Sequence, residues 1–244
     1  MESLQKMKQC TKWISSVKEW GNERLYGAPV AVVDVETTGL NTSKCKVVQL
    51  AIIHANLGMD NAEVVYNEVI DPCCDIPLQT SKIHGIFNDM VEGKPTFCNE
   101  IDKIKGLLQN RIIAAYNLSY DYAVLKAEFN RVDEEWLPWF GICAKILAVY
   151  VDSQKQGKGY HRLVEVAKRR GLSFKAHDAC EDAMVTAKLL DGLLGEASKK
   201  QGQKFRSVRE FWSFEREQAI IQERSLRMYY SKRRQGGNWP WTDW

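Results

Sequence analysis

Residues 29–40 are Pro29-Val30-Ala31-Val32-Val33-Asp34-Val35-Glu36-Thr37-Thr38-Gly39-Leu40. The run Pro29–Val33 is short, rich in β-branched residues and followed by a glycine, which predicts a buried strand. Successive side chains of a strand point to opposite faces, so Asp34 and Glu36 should share a face. Two ionised carboxylates this close repel each other unless a proton or a cation lies between them. Because Mg²⁺ and Mn²⁺ prefer oxygen ligands, the stretch predicts a metal site with further ligands elsewhere in the chain.

Two later segments offer those further ligands. Asn117-Leu118-Ser119-Tyr120-Asp121 follows the apolar run 111–116, and His177-Asp178-Ala179-Cys180-Glu181-Asp182 opens a helical pattern that extends to about Leu194. The chain therefore combines four carboxylates with a histidine five residues before the last of them. This set indicates a two-metal phosphoryl-transfer site.

The three segments resemble the exonuclease motifs of the DEDDh (DnaQ-like) 3′→5′ exonucleases, the superfamily of the proofreading subunit of bacterial replicative polymerases. The motifs are Asp34-x-Glu36-Thr37-x-Gly39, Asn117-x-x-x-Asp121 and His177-x-x-x-x-Asp182, in the family's order. The resemblance covers roughly residues 28–195, with further similar segments at 80–86 and 163–172. It implies a ribonuclease H-like fold and hydrolysis of phosphodiester bonds from single-stranded 3′ ends, which releases nucleoside 5′-monophosphates.

The resemblance also implies a role for each catalytic residue, with two Mg²⁺ or Mn²⁺ ions as cofactors. Asp34 would bridge the two ions, and Glu36 and Asp182 would complete the coordination of one of them. Asp121 would act at the second ion through water. His177 would accept the proton of the attacking water, because histidine titrates near neutral pH and commonly serves as a general base.

Five residues are candidates for contact with the substrate or its loops. By resemblance, Thr37, Thr38 and Leu40 would contact the 3′-terminal nucleotide, although an ordinary turn at the end of the strand is the alternative. His84 would either contact that nucleotide or cap a short helix. Asn117 would orient the loop of the second motif and would not bind metal.

The hydrophobic pattern predicts an α/β fold with a mixed five-stranded sheet flanked by helices. The first three strands should form an antiparallel meander with a hairpin turn near Gly58. Predicted strands cover 29–33, 47–53, 63–70 and 111–116, and a fifth short strand or an extended segment fits 139–143. Predicted helices cover 2–20, 78–92 in short pieces, 99–109, 119–131, 161–170, 178–194 and 208–233.

The extent of the resemblance divides the chain into a predicted N-terminal helical segment at 1–27, an exonuclease domain at 28–195 and an appendage at 196–244, and charge marks this appendage as basic. Residues 196–234 carry eleven Lys and Arg against five Asp and Glu, whereas the whole chain has a net charge of only +3. The basic helix is either a solvated surface or a contact for a polyanion. The tail, with Trp239, Trp241 and Trp244, would dock on the chain's own core, bind a partner protein or stack on bases.

Composition excludes a membrane-spanning or a disulfide-stapled protein. No apolar run reaches the length of roughly 20 residues that a membrane span needs. The seven cysteines follow no zinc-binding spacing, which predicts reduced thiols and an intracellular, cytoplasmic protein. The predicted substrate is a single-stranded 3′ end, with DNA favoured over RNA. The alternatives are an exoribonuclease of the same family and a polymerase-associated binding subunit that uses residues 208–244.

Overall fold

The structure is a computed structural model that describes residues 22–134, 136, 141–154 and 159–232, with side chains up to residue 225. The predicted helix 2–20 and the tryptophan-rich tail lie outside the described residues. One mixed sheet contains five strands: β1 (Pro29–Thr37), β2 (Val47–Asn56), β3 (Glu63–Val69), β4 (Ile112–Ala115) and β5 (Gly141–Cys143).

The strands lie in the order β3-β2-β1-β4-β5. β1 pairs antiparallel with β2, and β2 pairs antiparallel with β3, which confirms the predicted meander. β4 lies parallel to β1, and β5 lies parallel to β4. The mixed sheet and its flanking helices confirm the predicted ribonuclease H-like class.

The central strand β1 separates two apolar clusters, and its side chains alternate between them as a strand requires. Val30 and Val32 lie in one cluster, while Ala31, Val33 and Val35 lie in the other. Hydrophobic side chains therefore fill both faces of the strand until the position of Asp34. The carboxyl end of β1 is thus the place where the apolar sheet gives way to acidic side chains.

Helices cover the two faces of the sheet and its β5 edge. They are α1 (Leu78–His84), α2 (Asn88–Val91), α3 (Phe97–Leu108), α4 (Leu118–Arg131), α5 (Ala144–Val151), α6 (Leu163–Arg169), α7 (Ala179–Gln201) and α8 (Val208–Lys232). The sequence pattern did not predict α5. It also ended α7 near Leu194, whereas buried Ala197 and Ser198 extend the helix's packed face until left-handed Gly202 ends it.

Residues on both sides of the exonuclease-like segment join its core. Leu25 is fully buried, and its N–H donates to Arg206 O at 3.3 Å. The N–H of Val208 in turn donates to Glu23 O at 3.1 Å. Phe205, Phe211 and Phe214 are buried in the same cluster as β1 and α7. Because α7 also crosses residue 195 without a break, the predicted division at 195 falls inside a helix; the division into functional parts stays a prediction.

Ile221 does not share the burial of Phe211 and Phe214, although all three residues belong to α8. Ile221 is 47% exposed. Beyond Phe214, the side of the helix that contacts the core is polar: Glu215 accepts a hydrogen bond from Cys143 N at 2.6 Å, and Gln222 donates to Ile146 O at 3.0 Å. These bonds to the backbone of β5 and α5 turn Ile221 to the outside.

Glu215 is a buried acid at the edge of the sheet. Burial raises the pKa of its carboxyl to about 8, although the hydrogen bond from the Cys143 N–H opposes the shift. The carboxyl therefore satisfies a backbone donor of β5 that would otherwise be buried without an acceptor. No helix among the described residues is both long and apolar enough to cross a membrane.

We expect Glu215→Ala to destabilise the protein more than Glu215→Gln. Alanine removes the acceptor of a buried N–H, which costs about 1–3 kcal/mol, whereas glutamine keeps an acceptor oxygen. A folded-state pKa above the unfolded value means that the stability contributed by Glu215 is complete below the unfolded value and is lost as the pH rises through about 8. Glu215→Gln should therefore match the wild type near pH 4 and exceed it at pH 9.

Thermal unfolding of the three proteins at both pH values tests this. A melting temperature of Glu215→Ala equal to that of Glu215→Gln would contradict the role of the carboxyl oxygen as an acceptor.

Candidate active site

Asp34 and Glu36 lie side by side at the carboxyl end of β1, on the face that packs against α7. They continue the alternation of Val30 and Val32, which contact the apolar cluster that includes the first turns of α7. Across β2, Asp34 is paired with Ala51 and Glu36 with Gln49. Both acids are partly buried, so they do not project freely into water.

Asp121 reaches the same place from the first turn of α4. β4 pairs only with residues 30–32 of β1, so the backbone of β1 is open on that side beyond Val32. The carboxylate of Asp121 accepts hydrogen bonds from the N–H of Val35 and from its own N–H. Because Val35 lies between Asp34 and Glu36 in the strand, this contact fixes Asp121 beside both acids. Its side chain is buried, with 5% exposure.

Asp182 lies in the first turn of α7. The N–H groups of Ala179, Cys180 and Glu181 in this turn all donate to side-chain acceptors. Asp178 is the N-cap, and its Oδ1 accepts from Cys180 N at 3.1 Å and Glu181 N at 3.3 Å. The Oε1 of Gln49 accepts from Ala179 N at 3.4 Å. These contacts tie the start of α7 to β2 and cap it in the way that acidic and amide side chains commonly do.

His177 precedes the cap and has a left-handed backbone, with a φ of 65°. Its N–H donates to Asp182 Oδ2 at 3.3 Å, so the carboxylate reaches back over the start of the helix. One ligand atom each of Glu36, His177 and Asp182 lie within 4.8 Å of one another. The imidazole is exposed, whereas Asp182 is 9% exposed. The structure thus brings the residues of all three motifs together.

The four carboxyl groups cannot all ionise at neutral pH without compensation. Burial, followed by repulsion from Asp121, Asp182, Glu36 and Asp178, raises the pKa of Asp34 well above its ordinary value. The same causes raise the pKa of Glu36 and of Asp121 to about 8 each. Burial and neighbouring acids raise the pKa of Asp182 to about 6.

This donor set fits hard divalent cations. All four carboxylates supply oxygen ligands, which Mg²⁺ and Mn²⁺ prefer. The Oδ1 atom of Asp182 is buried and has no hydrogen-bond partner among the described residues. A cation would supply that missing partner and remove the repulsion that raises the carboxyl pKa values.

The loop after β1 is held by a small hydrogen-bond cluster. Thr37 Oγ1 and Tyr120 OH lie 2.6 Å apart, and they lie 2.8 Å and 2.9 Å from Gly39 O, respectively. Thr38 exchanges two bonds with Lys46, through its N–H at 2.9 Å and its Oγ1 at 3.0 Å. Both threonine hydroxyls therefore shape the loop, and Thr37 is buried.

The same loop presents an apolar side chain to solvent. Arg131 donates to the carbonyl oxygens of Ser43 and Cys45 at 3.2 Å and 2.8 Å, which fixes the far side of the loop against α4. Leu40, at the tip, is 87% exposed. A large exposed hydrophobic residue on a firmly hydrogen-bonded loop beside the carboxylates is well suited to contact an apolar part of a ligand.

Comparison with known proteins identifies the domain. The family model described as Exonuclease (RNase_T) matches residues 31–190, which is more than half of the chain. The chain belongs to this exonuclease family. It is of the DEDDh, DnaQ-like type, since all three motifs are present and converge.

Relatives of this exonuclease domain include parts of replicative polymerases. It is 26% identical over 176 residues to the DNA polymerase III subunit epsilon of Treponema pallidum, with 69% of this chain and 78% of the relative covered. It is 30% identical over 163 residues to the PolC-type DNA polymerase III of Thermotoga petrophila, with 66% of this chain and only 12% of that polymerase covered. The exonuclease domain thus spans about a tenth of the length of the polymerase.

A solved structure confirms the fold of the exonuclease domain. It is similar to Exonuclease X in complex with 5′-overhanging duplex DNA, with a TM-score of 0.53 and 23% identity. The similarity covers 72% of this chain and 94% of that one.

The other two predicted residues of the exonuclease domain are His84 and Asn117. His84 ends α1, and its Nδ1 accepts from Ile86 N at 3.1 Å, as a residue that closes a short helix would. Burial lowers the pKa of His84; the Thr37 backbone opposes this shift and the nearby His177 adds to it. Asn117 is the N-cap residue of α4, and its buried Oδ1 has no hydrogen-bond partner among the described residues. Roles in substrate binding for both residues stay predictions.

Sequence patterns missed two residues of the site. Asp178 was given no role in the sequence analysis, but it caps α7 and its charge raises the pKa of Asp34 and Glu36. Its place before Cys180 and Glu181 in a helix start is a capping signal that could have identified it. Gln49 had no local signal, because its role depends on a contact with Ala179, 130 residues away.

We expect the metal-free exonuclease domain to lose stability as the pH rises and Asp121→Asn to reduce that loss. A carboxyl pKa that is raised on folding contributes stability below its unfolded value, near 4, and this stability is lost as the pH rises through about 8. In EDTA at pH 8.5, Asp121→Asn should therefore be more stable than the wild type by at least ~1 kcal/mol, which is about 2–4 °C in melting temperature.

Melting curves at pH 5 and pH 8.5, with EDTA and with Mn²⁺, measure this effect. Added Mn²⁺ should stabilise the wild type at pH 8.5. The matched control is Asp60→Asn, in the exposed turn at the opposite end of β2, and it should behave as the wild type. An Asp121→Asn protein that is less stable than the wild type in EDTA at pH 8.5 would refute the argument.

Gln49→Ala should weaken metal binding without removing a metal ligand. The change releases Ala179 N and loosens the start of α7, which carries His177 and Asp182. Loss of a residue that orients ligands typically costs 10–100-fold in metal affinity, so we expect the Mn²⁺ dissociation constant to rise by about tenfold.

Titration calorimetry with Mn²⁺ is the measurement. Asn67→Ala is the control, because Asn67 only supports the Gln49 amide through its Oδ1 at 3.0 Å; it should have a smaller effect. Equal Mn²⁺ affinity in Gln49→Ala and wild type would show that α7 is positioned without Gln49.

Proposed function

We propose that the chain is a metal-dependent 3′→5′ exonuclease that removes nucleoside 5′-monophosphates from single-stranded DNA ends. The observation that carries the proposal is the convergence of Asp34, Glu36, Asp121 and Asp182 at one end of β1, with the imidazole of His177 beside them. Buried acids that lie close together and have raised pKa values are typical of sites that bind cations and react with phosphates.

Two Mg²⁺ or Mn²⁺ ions would polarise the scissile phosphate and stabilise the developing charge on the attacking and leaving oxygens. Asp34 would bridge the ions, and Glu36 and Asp182 would complete the coordination of one. Asp121 would act at the other through water. The Val35 N–H that holds Asp121 and the Asp178 cap that holds α7 keep these oxygens in place before substrate binds.

His177 would take the proton from the attacking water. Its ring is exposed, and one of its nitrogens lies within 4.8 Å of a carboxylate oxygen of both Glu36 and Asp182, so it borders solvent and the acidic site. The hydrogen bond between its N–H and Asp182 holds the backbone, so the side chain remains free to rotate towards the water. A base that moves on a fixed backbone can accept a proton and then release it to solvent.

The loop 37–46 would receive the terminal nucleotide. Leu40 would pack against the last base, since it is the exposed apolar side chain at the tip of the loop. Thr37 and Thr38 would act through the backbone that their hydroxyls hold in place. His84, close to the Thr37 backbone and to His177, would border the sugar of the same nucleotide, and Asn117 would orient the second motif.

The similar proteins support a preference for DNA over RNA. Two of them are parts of DNA polymerase III, and Exonuclease X was solved with DNA. An exoribonuclease of the same family is the alternative, because the site chemistry does not depend on the sugar.

A partner protein on residues 208–244 stays a prediction. The start of α8 contributes Phe211 and Phe214 to the core, so its apolar face at that end is already covered. The exposed Arg209, Arg216 and Arg224 remain available to a polyanion.

We expect Asp34→Asn to abolish exonuclease activity while the fold is retained. Asparagine keeps the shape of the side chain but removes the negative charge of the carboxylate that would bind both cations. The rate of hydrolysis should therefore fall by about 10²–10³-fold or more, which is the usual effect of removing a group that stabilises the transition state. The assay is a time course with 5′-labelled single-stranded DNA and the matching RNA, in Mg²⁺, Mn²⁺ or EDTA.

Asp60→Asn is the matched control, purified in the same way, and should retain full activity. A ladder that shortens from the 3′ end, only with metal and only in wild type and control, would support the proposal and identify the preferred sugar. Equal activity in Asp34→Asn and the wild type would mean that the nuclease is a contaminant.

A further inference from the structure

We infer that Glu128 and Arg131, at the far end of α4, are positioning residues that hold the loop 37–46 in the shape that binds the terminal nucleotide. They act through the backbone of the loop and not by contact with the metal ions or the reacting atoms. Neither residue belongs to the three motifs. Their effect on substrate binding rests on the proposed function, whereas the contacts that fix the loop are present in the structure.

Glu128 fixes the end of the loop to α4. Its side chain is buried, and its Oε1 accepts a hydrogen bond from Val47 N at 2.9 Å. Val47 begins β2, where the register of β2 against β1 shifts between Glu36 and Thr37. A buried backbone N–H needs an acceptor, and at this irregular pairing the carboxylate supplies one. The chain that leaves the loop is thereby bonded to the helix.

Arg131 fixes the body of the loop. Its Nη1 lies 3.0 Å from Glu128 Oε1, in an ion pair. Its Nη2 donates to Ser43 O at 3.2 Å and to Cys45 O at 2.8 Å. A guanidinium is planar and has five donors, so it can bind a carboxylate and two carbonyl oxygens at once. Because Glu128 is itself bonded to the start of β2, the ion pair holds the arginine in the position that reaches both carbonyls.

The other end of the same helix carries the second motif. Its first turn contains Tyr120, whose hydroxyl lies 2.9 Å from Gly39 O, and Asp121, which accepts a hydrogen bond from β1. Glu128 and Arg131 lie roughly 10–15 Å further along the helix axis, and all four side chains fall within an arc of about 100°. One face of α4 therefore holds both the loop and a proposed metal ligand, and the distant pair can be changed without touching that ligand.

The exposed tip of the loop depends on these backbone contacts. Leu40 is 87% exposed, so its position is set by the loop that carries it and not by packing of its own side chain. A loop that is already ordered does not have to be ordered when a ligand binds, which increases affinity. Without the arginine fork, the carbonyl groups of Ser43 and Cys45 lose their donor and the loop loses this order. Affinity for the terminal nucleotide should fall while the carboxylate site is unchanged.

Arg131→Lys separates the geometry of the arginine from its charge. Lysine keeps a positive charge for Glu128, but its ammonium cannot replace the planar fork on the loop carbonyls. Loss of one hydrogen bond from a charged donor commonly changes an equilibrium constant by about tenfold. We therefore expect the KM for a 5′-labelled oligodeoxythymidylate to rise about tenfold, with kcat within about twofold of the wild type and Mn²⁺ affinity unchanged.

This split distinguishes positioning from a general loss of structure. A change that raises KM alone removes binding that the substrate and the transition state share. A protein that was merely less stable would contain less active enzyme, which lowers the apparent kcat and leaves KM unchanged. A lower kcat at unchanged KM in Arg131→Lys would therefore overturn the inference.

A second variant and a matched control accompany Arg131→Lys. Glu128→Gln keeps an acceptor oxygen for Val47 N but removes the charge that holds the arginine, so it should also raise KM. The control is Arg111→Lys, because Arg111 donates to the backbone oxygen of Val30 at 3.5 Å, at the opposite end of β1. Its KM should equal that of the wild type.

Amide hydrogen exchange measures the order of the loop without any substrate. Exchange in the loop 37–46 should be faster in Arg131→Lys than in the wild type or the Arg111→Lys control. Exchange in the buried strand β4 should be the same in all three proteins. Equal exchange of the loop in Arg131→Lys and the wild type would overturn the inference.

Binding without turnover separates the positioning role from the proposed function. Fluorescence anisotropy with the same labelled oligonucleotide, in Mn²⁺, gives the Kd of Asp34→Asn with and without Arg131→Lys. If the wild type cleaves no nucleic acid but Arg131→Lys raises this Kd about tenfold, the positioning role stands and the proposed function fails. If the wild type cleaves DNA and Arg131→Lys changes neither KM nor Kd, the positioning role fails and the exonuclease remains. A chain that neither binds nor cleaves the oligonucleotide would overturn both.

Discussion

Repulsion among buried carboxylates is the constraint on which the site depends. Asp34 and Glu36 are forced onto one face by the strand, while Asp121 and Asp182 are brought in by two helices. Burial keeps water from screening these charges, so the pKa values rise. The rest of the local structure opposes the repulsion with backbone N–H groups, such as that of Val35 on Asp121 and that of His177 on Asp182. These contacts hold the four carboxyl groups in place, but all four groups could ionise together at neutral pH only if cations were bound beside them.

The central features of the fold follow from short-range patterns. Alternation along residues 29–37 predicts a buried strand with two acids on one face, and the structure confirms both. The order of the motifs predicts that the second and third acids reach the same point, because the strands and helices of this family bring their ends together. These predictions succeed because each depends on period, spacing and residue type within one segment.

The missed features depend on contacts between distant segments. Gln49 has the pattern of an ordinary strand residue, and only its bond to Ala179 makes it part of the site. Glu215 lies in a helix whose sequence suggests a solvated charged face. Its carboxylate is nevertheless buried, where it accepts a hydrogen bond from the Cys143 N–H. The same polar contacts leave Ile221 exposed, so the apolar side chains of α8 that pack in the core extend only as far as Phe214. Periodicity describes which residues share a face but not which face the core will cover.

The bond from Val208 N to Glu23 O has a consequence for the order of events during synthesis. The two residues are 185 positions apart in the chain, and Leu25 is buried against the segment that follows Gly202. A growing chain that has emerged only as far as the third motif holds all three motifs but lacks Phe205, Phe211 and Phe214. Its hydrophobic cluster stays open until residues 205–214 have also left the ribosome. Domains fold as units, so the nuclease would assemble only after the segment that follows the third motif has been synthesised.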